Sequence, residues 1–171
     1  MKFFFIVVNV FVILHSSFLY SQIKGKYQYR WAIFHPVAAI KVKHIYKKNL
    51  PLYQQIKQSK ILDTFENGGK LDAFRHAFFM ACFAQKIKDK KLIKLGIAHE
   101  KDDVYYFQKK KKAEYSDVPD SASIQMDLYN NKVGIQTGKK YKYIPTTQLS
   151  DTIIQYIKEN KLKVITEVKS E

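Results

Sequence analysis

Three short stretches of this sequence each place an acid beside a second polar group at helical spacing. The first holds Asp72, Arg75 and His76, the second His99, Glu100 and Asp103, and the third Asp127, Asn130 and Asn131. Residues three and four apart are neighbours on a helix surface, so each set puts its polar groups on one side of one helix. Burying any of these groups without a partner costs ~2–7 kcal/mol, and far more for a bare charge. The arrangement that avoids this cost three times over is one in which the three sets meet.

A cluster of this composition can move protons. His76 or His99 would serve as general base on water or a hydroxyl, and Asp72, Glu100 or Asp127 would orient the imidazole and stabilise its charged form. Arg75, Asn130 and Asn131 would hold an anionic or carbonyl group. Arg75 stands out because only it and Arg30 are arginine among thirty basic residues. A rigid, permanently charged fork suits bidentate grip on a carboxylate or phosphate where lysine does not. The competing reading is a buried hydrogen-bond and ion-pair network that only fixes helix packing. A metal set of His76, His99, Glu100 and Asp127 has admissible zinc or transition-metal donors, but the spacing enforces neither a metal nor any other cofactor. His99-Glu100 lacks the second histidine of a metalloprotease motif. The order His, His-acid, Asp is similar to that of HD-type phosphohydrolases, although the middle pair here is His-Glu.

The elements that must carry these residues read as helices. The helix expected over about 70–88 is apolar all the way round from Leu71 to Ala84 apart from Asp72, Arg75 and His76, which share an arc of about 100°; such a helix is buried on every side and belongs at the centre. Helices are also expected over 36–48, 51–65, 90–108, 121–133 and 146–160, with Asn49-Leu50-Pro51 as a break and Gly134 as a C-terminal stop. Residues 23–34, where Tyr27, Tyr29 and Trp31 alternate with polar residues, read as a strand or extended arm, and 163–168 as a second strand. Asp117 to Ser121 reads as a loop ending in a cap, and Asn67-Gly68-Gly69 as a turn. The lone cysteine, Cys82, reads as a small core residue. His44 is placed on a helix surface and His35 at a helix start.

The stretches Gly69-Lys70-Leu71-Asp72-Ala73-Phe74-Arg75-His76-Ala77, Ala98-His99-Glu100 and Met126-Asp127-Leu128-Tyr129-Asn130-Asn131-Lys132-Val133-Gly134 together resemble an uncharacterised bacterial domain found in secreted proteins and at the ends of polymorphic-toxin-like proteins. The resemblance covers about residues 33–138. It implies that Asp72, Arg75, His76, His99, Glu100, Asp127, Asn130 and Asn131 are the domain's hallmark polar positions, and it carries no established activity.

The first residues bound where the protein works. Lys2 is followed by an apolar run from Phe3 to Leu14, and Leu19-Tyr20-Ser21 offers a small residue before Gln22; this is the pattern of a cleaved export signal over 1–21. The run is too short to cross a bilayer, which needs ~20 residues. What remains, 22–171, is expected to be one helical domain with no membrane-spanning segment, acting in the periplasm or outside the cell. The chain carries a net charge of +15, of which only Lys2 leaves with the signal. A lysine excess with so few arginines argues against sequence-reading contacts to nucleic acid; it reads most simply as a solvated surface, and the partner class it would suit is an anionic envelope component or lipid. Two functions follow: a secreted hydrolase of ester or phosphodiester bonds, or a non-enzymatic envelope protein whose polar cluster is scaffold and whose basic surface binds an acidic partner.

Overall fold

The computed structural model describes residues 25–110 and 121–165. The expected signal segment, the loop residues 117–120 and residues 166–168 lie outside the described part. Six helices make up the described chain: α1 (Lys26–Phe34), α2 (Pro36–Ser59), α3 (Lys70–Ala84), α4 (Asp89–Lys110), α5 (Ser121–Lys140) and α6 (Thr146–Lys158). The mostly helical class is therefore as expected, and no strand occurs among the described residues.

α3 is the central element. Of its residues, only Lys70 and Arg75 escape full burial, and it packs against α2, α4, α5 and α6. Phe74, Phe78, Phe79 and Phe83 cover one half of its circumference and Ala73, Ala77 and Met80 the other, and a helix apolar on both sides can bury them only by being enclosed. Cys82 lies in this core, and burial pushes its thiol up to about 12, so it packs rather than reacts.

The interface of α3 with α5 is the closest in the molecule. His76 meets Asn131, Ala77 meets Gly134, and Ala81 meets Gly138; these pairs rise together along both chains, so the helices run parallel. A Cβ on Gly134 would lie 2.2 Å from the Ala77 carbonyl oxygen, and one on Gly138 2.1 Å from that of Ala81. Gly134 is thus not a helix stop. α5 continues through it to Lys140, and the glycine is there because the backbone of α3 occupies the space a side chain would need.

Three further expectations are corrected. Residues 26–34 are helical, not a strand or arm. Tyr27 and Trp31 fit a one-turn repeat as well as a two-residue one. The helix's missing N-terminal cap is supplied from α4, where the buried Asp102 carboxylate accepts the backbone N–H groups of Tyr27 and Gln28, both at 2.8 Å. The break at 49–51 does not occur, because α2 runs unbroken through Pro51. Pro51 is on the exposed side, so the carbonyl four residues back, which has no donor from proline, also lies on the side facing water. Finally, residues 163–165 form no strand. Their backbone is taken up by a side chain: Lys163 N–H donates to Asn130 Oδ1 and Asn130 Nδ2 donates to the Lys163 carbonyl, each at 2.9 Å. Ile165 N–H then donates to the Gly68 carbonyl.

Candidate functional site

The three polar sets do meet, where the N-terminal half of α3 lies between α4 and α5. Asp72 sits in the first turn of α3 and is almost fully buried. One of its oxygens accepts the Gly68 N–H at 2.8 Å and the other accepts Arg75 Nη2 at 2.5 Å. Burial raises its proton affinity, and Arg75 and the Gly68 N–H oppose that rise. With two donors in place we take Asp72 as the carboxylate that anchors the group.

His76 lies one turn further on and is buried. Arg75 Nη2 is 3.2 Å from its Nε2. A guanidinium can only donate, so Nε2 carries the lone pair. The ring proton is then on Nδ1, which donates to Asn131 Oδ1 at 3.2 Å. Burial first, and the positive charge of Arg75 next, hold the imidazole's pKa well below its ordinary value, so the ring is neutral at pH 7. Its Nε2 faces two carboxylates, Asp72 Oδ1 at 3.5 Å and Asp127 Oδ1 at 3.4 Å.

That arrangement sets acceptor against acceptor. Arg75 donates to Asp72 and His76, whereas Asp127 Oδ1 is buried and has no hydrogen-bond donor. Burial, reinforced by the charge of Asp72, raises Asp127 to about 7. Beside it, Glu100 on α4 is buried with Oε1 unpartnered, and burial together with the charge of Asp127 raises it to about 9. Among the described residues, four buried side-chain polar atoms lack a partner; Glu100 Oε1, Asp127 Oδ1 and Asn131 Nδ2 belong to this cluster, and only Ser150 Oγ lies elsewhere. Asp72, His76 and Asp127 can each bring one donor atom within 4.8 Å of the others, a geometry able to hold a metal ion. The expected set of His76, His99, Glu100 and Asp127 is thus not the one that converges; Asp72 replaces His99 and Glu100.

His99 stands at the rim. Its ring centroid is 5.9 Å from that of His76, and its side chain is 40% exposed. Gln28 of α1 donates Nε2–H to its Nδ1 at 2.9 Å, which leaves the ring proton on Nε2, 3.6 Å from Asp103 Oδ2. The Arg75 side chain is also 38% exposed, so Arg75 and His99 join the buried acids to solvent. Asn130 alone of the eight candidates is turned away, with both ends of its amide spent on Lys163.

Sequence reasoning missed two contributors. Gln28 fixes the tautomer of His99, and Asp102 anchors the helix that carries Gln28. A polar residue at 28 among aromatics was the one visible hint; nothing in the run from His99 to Asp103 singles out Asp102. The family resemblance has a counterpart in comparison with known proteins. No curated protein and no solved structure shows a match. Residues 29–161 match the family described as Domain of unknown function (DUF6973), well over half of the chain, and the chain belongs to that family.

Proposed function

We propose that the protein is an exported hydrolase that cleaves ester or phosphodiester bonds at the Asp72–His76–Asp127 cluster. One observation carries the reading: a neutral histidine presents its lone pair 3.4 Å from a buried carboxyl oxygen that has no donor. A base that is unprotonated at neutral pH and an acid still partly protonated there form a matched pair. Arg75, reaching from the cluster to solvent, binds the anionic or carbonyl oxygen of the substrate. Water attacks the phosphorus or carbonyl carbon while one of its protons passes to His76 Nε2. Asp127 gives its proton to the leaving oxygen as the ester bond breaks. The imidazolium then returns a proton to Asp127 across the short gap, which restores both groups. Asp72 stabilises the transient imidazolium. The toxin-associated company of the domain it resembles is in keeping with an enzyme.

The test is turnover of bis(p-nitrophenyl) phosphate and p-nitrophenyl esters by the parent and by Asp127→Asn. The variant keeps the shape and removes the proton, so we expect a loss of about 10²–10⁴-fold with folding intact. Turnover of neither substrate class, or an Asp127→Asn variant as active as the parent, overturns the proposal.

A second reading rests on the same three donor atoms. Asp72, His76 and Asp127 would hold a divalent transition metal in place of the shared proton, with Arg75 swung outward. The metal would supply a bound water of lowered pKa. Activity that chelation abolishes and zinc or manganese restores selects this reading; indifference to chelation selects the proton pair.

A further inference from the structure

The charge of this chain is unevenly spread. All fifteen acidic residues lie at Asp63 or beyond, so α1 and α2 contain none. Between Lys26 and Lys48 there are six lysines and arginines. The same segment carries the most exposed group of apolar side chains in sequence: Ile33, Phe34, Val37 and Ile40, each 57–67% exposed. They lie on either side of His35, the single residue joining α1 to α2.

On α2 the two features share one face. At 100° per residue, Val37, Ile40, Lys41, His44 and Lys48 fall within an arc of about 100°; all five are exposed. Ala38, Asn49 and Tyr53, which are buried, lie on the other side. The face is apolar in its first turn and basic beyond it. On α1, the Arg30 guanidinium lies 5.9 Å from the exposed Phe34 ring, so a cation flanks the apolar tip from that side as well.

We propose that the α1–α2 corner docks on the surface of an anionic lipid bilayer, with Ile33, Phe34, Val37 and Ile40 entering the headgroup boundary and the flanking lysines and Arg30 meeting lipid phosphates. A membrane interface takes up both halves of such a face, apolar tips and basic flanks together. A nucleic acid or an acidic glycan would answer the charge and leave four large apolar side chains in water. Lysine suits the diffuse attraction of a charged surface, whereas reading a defined phosphate calls for arginine. No helix among the described residues is long and apolar enough to cross a membrane, so the contact lies along the surface. The proposal does not depend on the hydrolytic reading: it concerns α2 and the outer end of α1, and its readout is binding.

The test uses the protein after export, its loss of residues 1–21 verified by mass, and sedimentation with phosphatidylcholine vesicles with or without phosphatidylglycerol. We expect at least about tenfold tighter binding to the anionic vesicles, weakening with salt. Phe34→Ser/Val37→Ser and, separately, Lys41→Gln/Lys48→Gln should each weaken it about tenfold while melting like the parent, because the altered side chains make little of the core. Three results overturn the proposal. One is equal binding to neutral vesicles. Another is binding that ignores Phe34→Ser/Val37→Ser while heparin or duplex DNA competes fully, which would make the surface a general polyanion site. The last is a parent that is dimeric by light scattering and becomes monomeric on Phe34→Ser/Val37→Ser, which would make a second copy the occupant.

Discussion

The two halves of the α3–α5 interface follow opposite rules. In the C-terminal half, Gly134 and Gly138 lie directly on the backbone of Ala77 and Ala81, and no buried polar atom there is left without a partner among those described. In the N-terminal half, Asp72, His76, Asp127 and Asn131 crowd together with Glu100, and three buried polar atoms lack partners. The close half holds the unsatisfied half in place. Two helices locked backbone to backbone cannot rotate to relieve acceptors that face one another, so unfavourable groups persist because the surrounding packing over-determines them.

The largest effect that would break this comparison comes from Gly134→Val. The added side chain meets the Ala77 backbone, which cannot yield as a flexible side chain would. We expect a loss of about 3 kcal/mol or more, roughly 10 °C in melting temperature, with any activity lost along with it. A variant that melts like the parent would show that the close half does not hold the interface.

The next effect sharpens the polar half. In the folded protein Glu100 keeps its proton up to about 9, against an ordinary 4.5. The folded state therefore holds more protons than the unfolded chain between those values, and stability falls as pH rises through the window. Asp127, raised from 3.8 to about 7, acts in the same sense. His76 acts in the other: held neutral when folded, it costs stability as pH falls below 6.5, where the unfolded chain takes up a proton. Thermal melts under chelation should show Glu100→Gln raising the melting temperature at pH 8 by about 5 °C and leaving it little changed at pH 5. Equal effects at both pH values would mean that Glu100 is not held protonated.

The smallest effect tests the rim. Asp102→Ala removes the cap on α1 and should cost about 1–2 kcal/mol. Because Gln28 rides on that helix, the amide exchange of residues 27–30 should rise while that of α3 stays protected. Uniform exchange across both helices would show that α1 is held by its apolar contacts alone.

The parts of this architecture visible in the sequence were those fixed by local chemistry. α3 announced itself because a helix apolar on all sides has only one place to go, and the cost of burying three polar sets separately implied their meeting. α4 was legible from its apolar positions, and α6 from the Thr and Ser residues able to cap it. The failures have a common physical origin, which is that the deciding partner is remote. α1 looked like a strand because Tyr27, Tyr29 and Trp31 alternate and its cap lies at Asp102. The break at Pro51 was locally reasonable, yet the packing of Tyr53 against α3 carries the helix through. Gly134 reads as a stop until the Ala77 backbone is placed opposite it. Residues 163–165 read as a strand, but Lys163 pairs with the Asn130 side chain and Ile165 with the Gly68 carbonyl, partners that no local pattern announces.

The cap on α1 also bears on how the protein is made. Gly25 and α1 leave the ribosome first among the described residues, and the carboxylate that closes the helix lies 75 residues from Tyr27 along the chain. A nine-residue helix without its own cap is too short to persist alone in water. The first described helix to be synthesised is therefore expected to form only once α4 has brought Asp102 round. Until then its aromatic residues remain in an open chain, without the helix that sets them on the core.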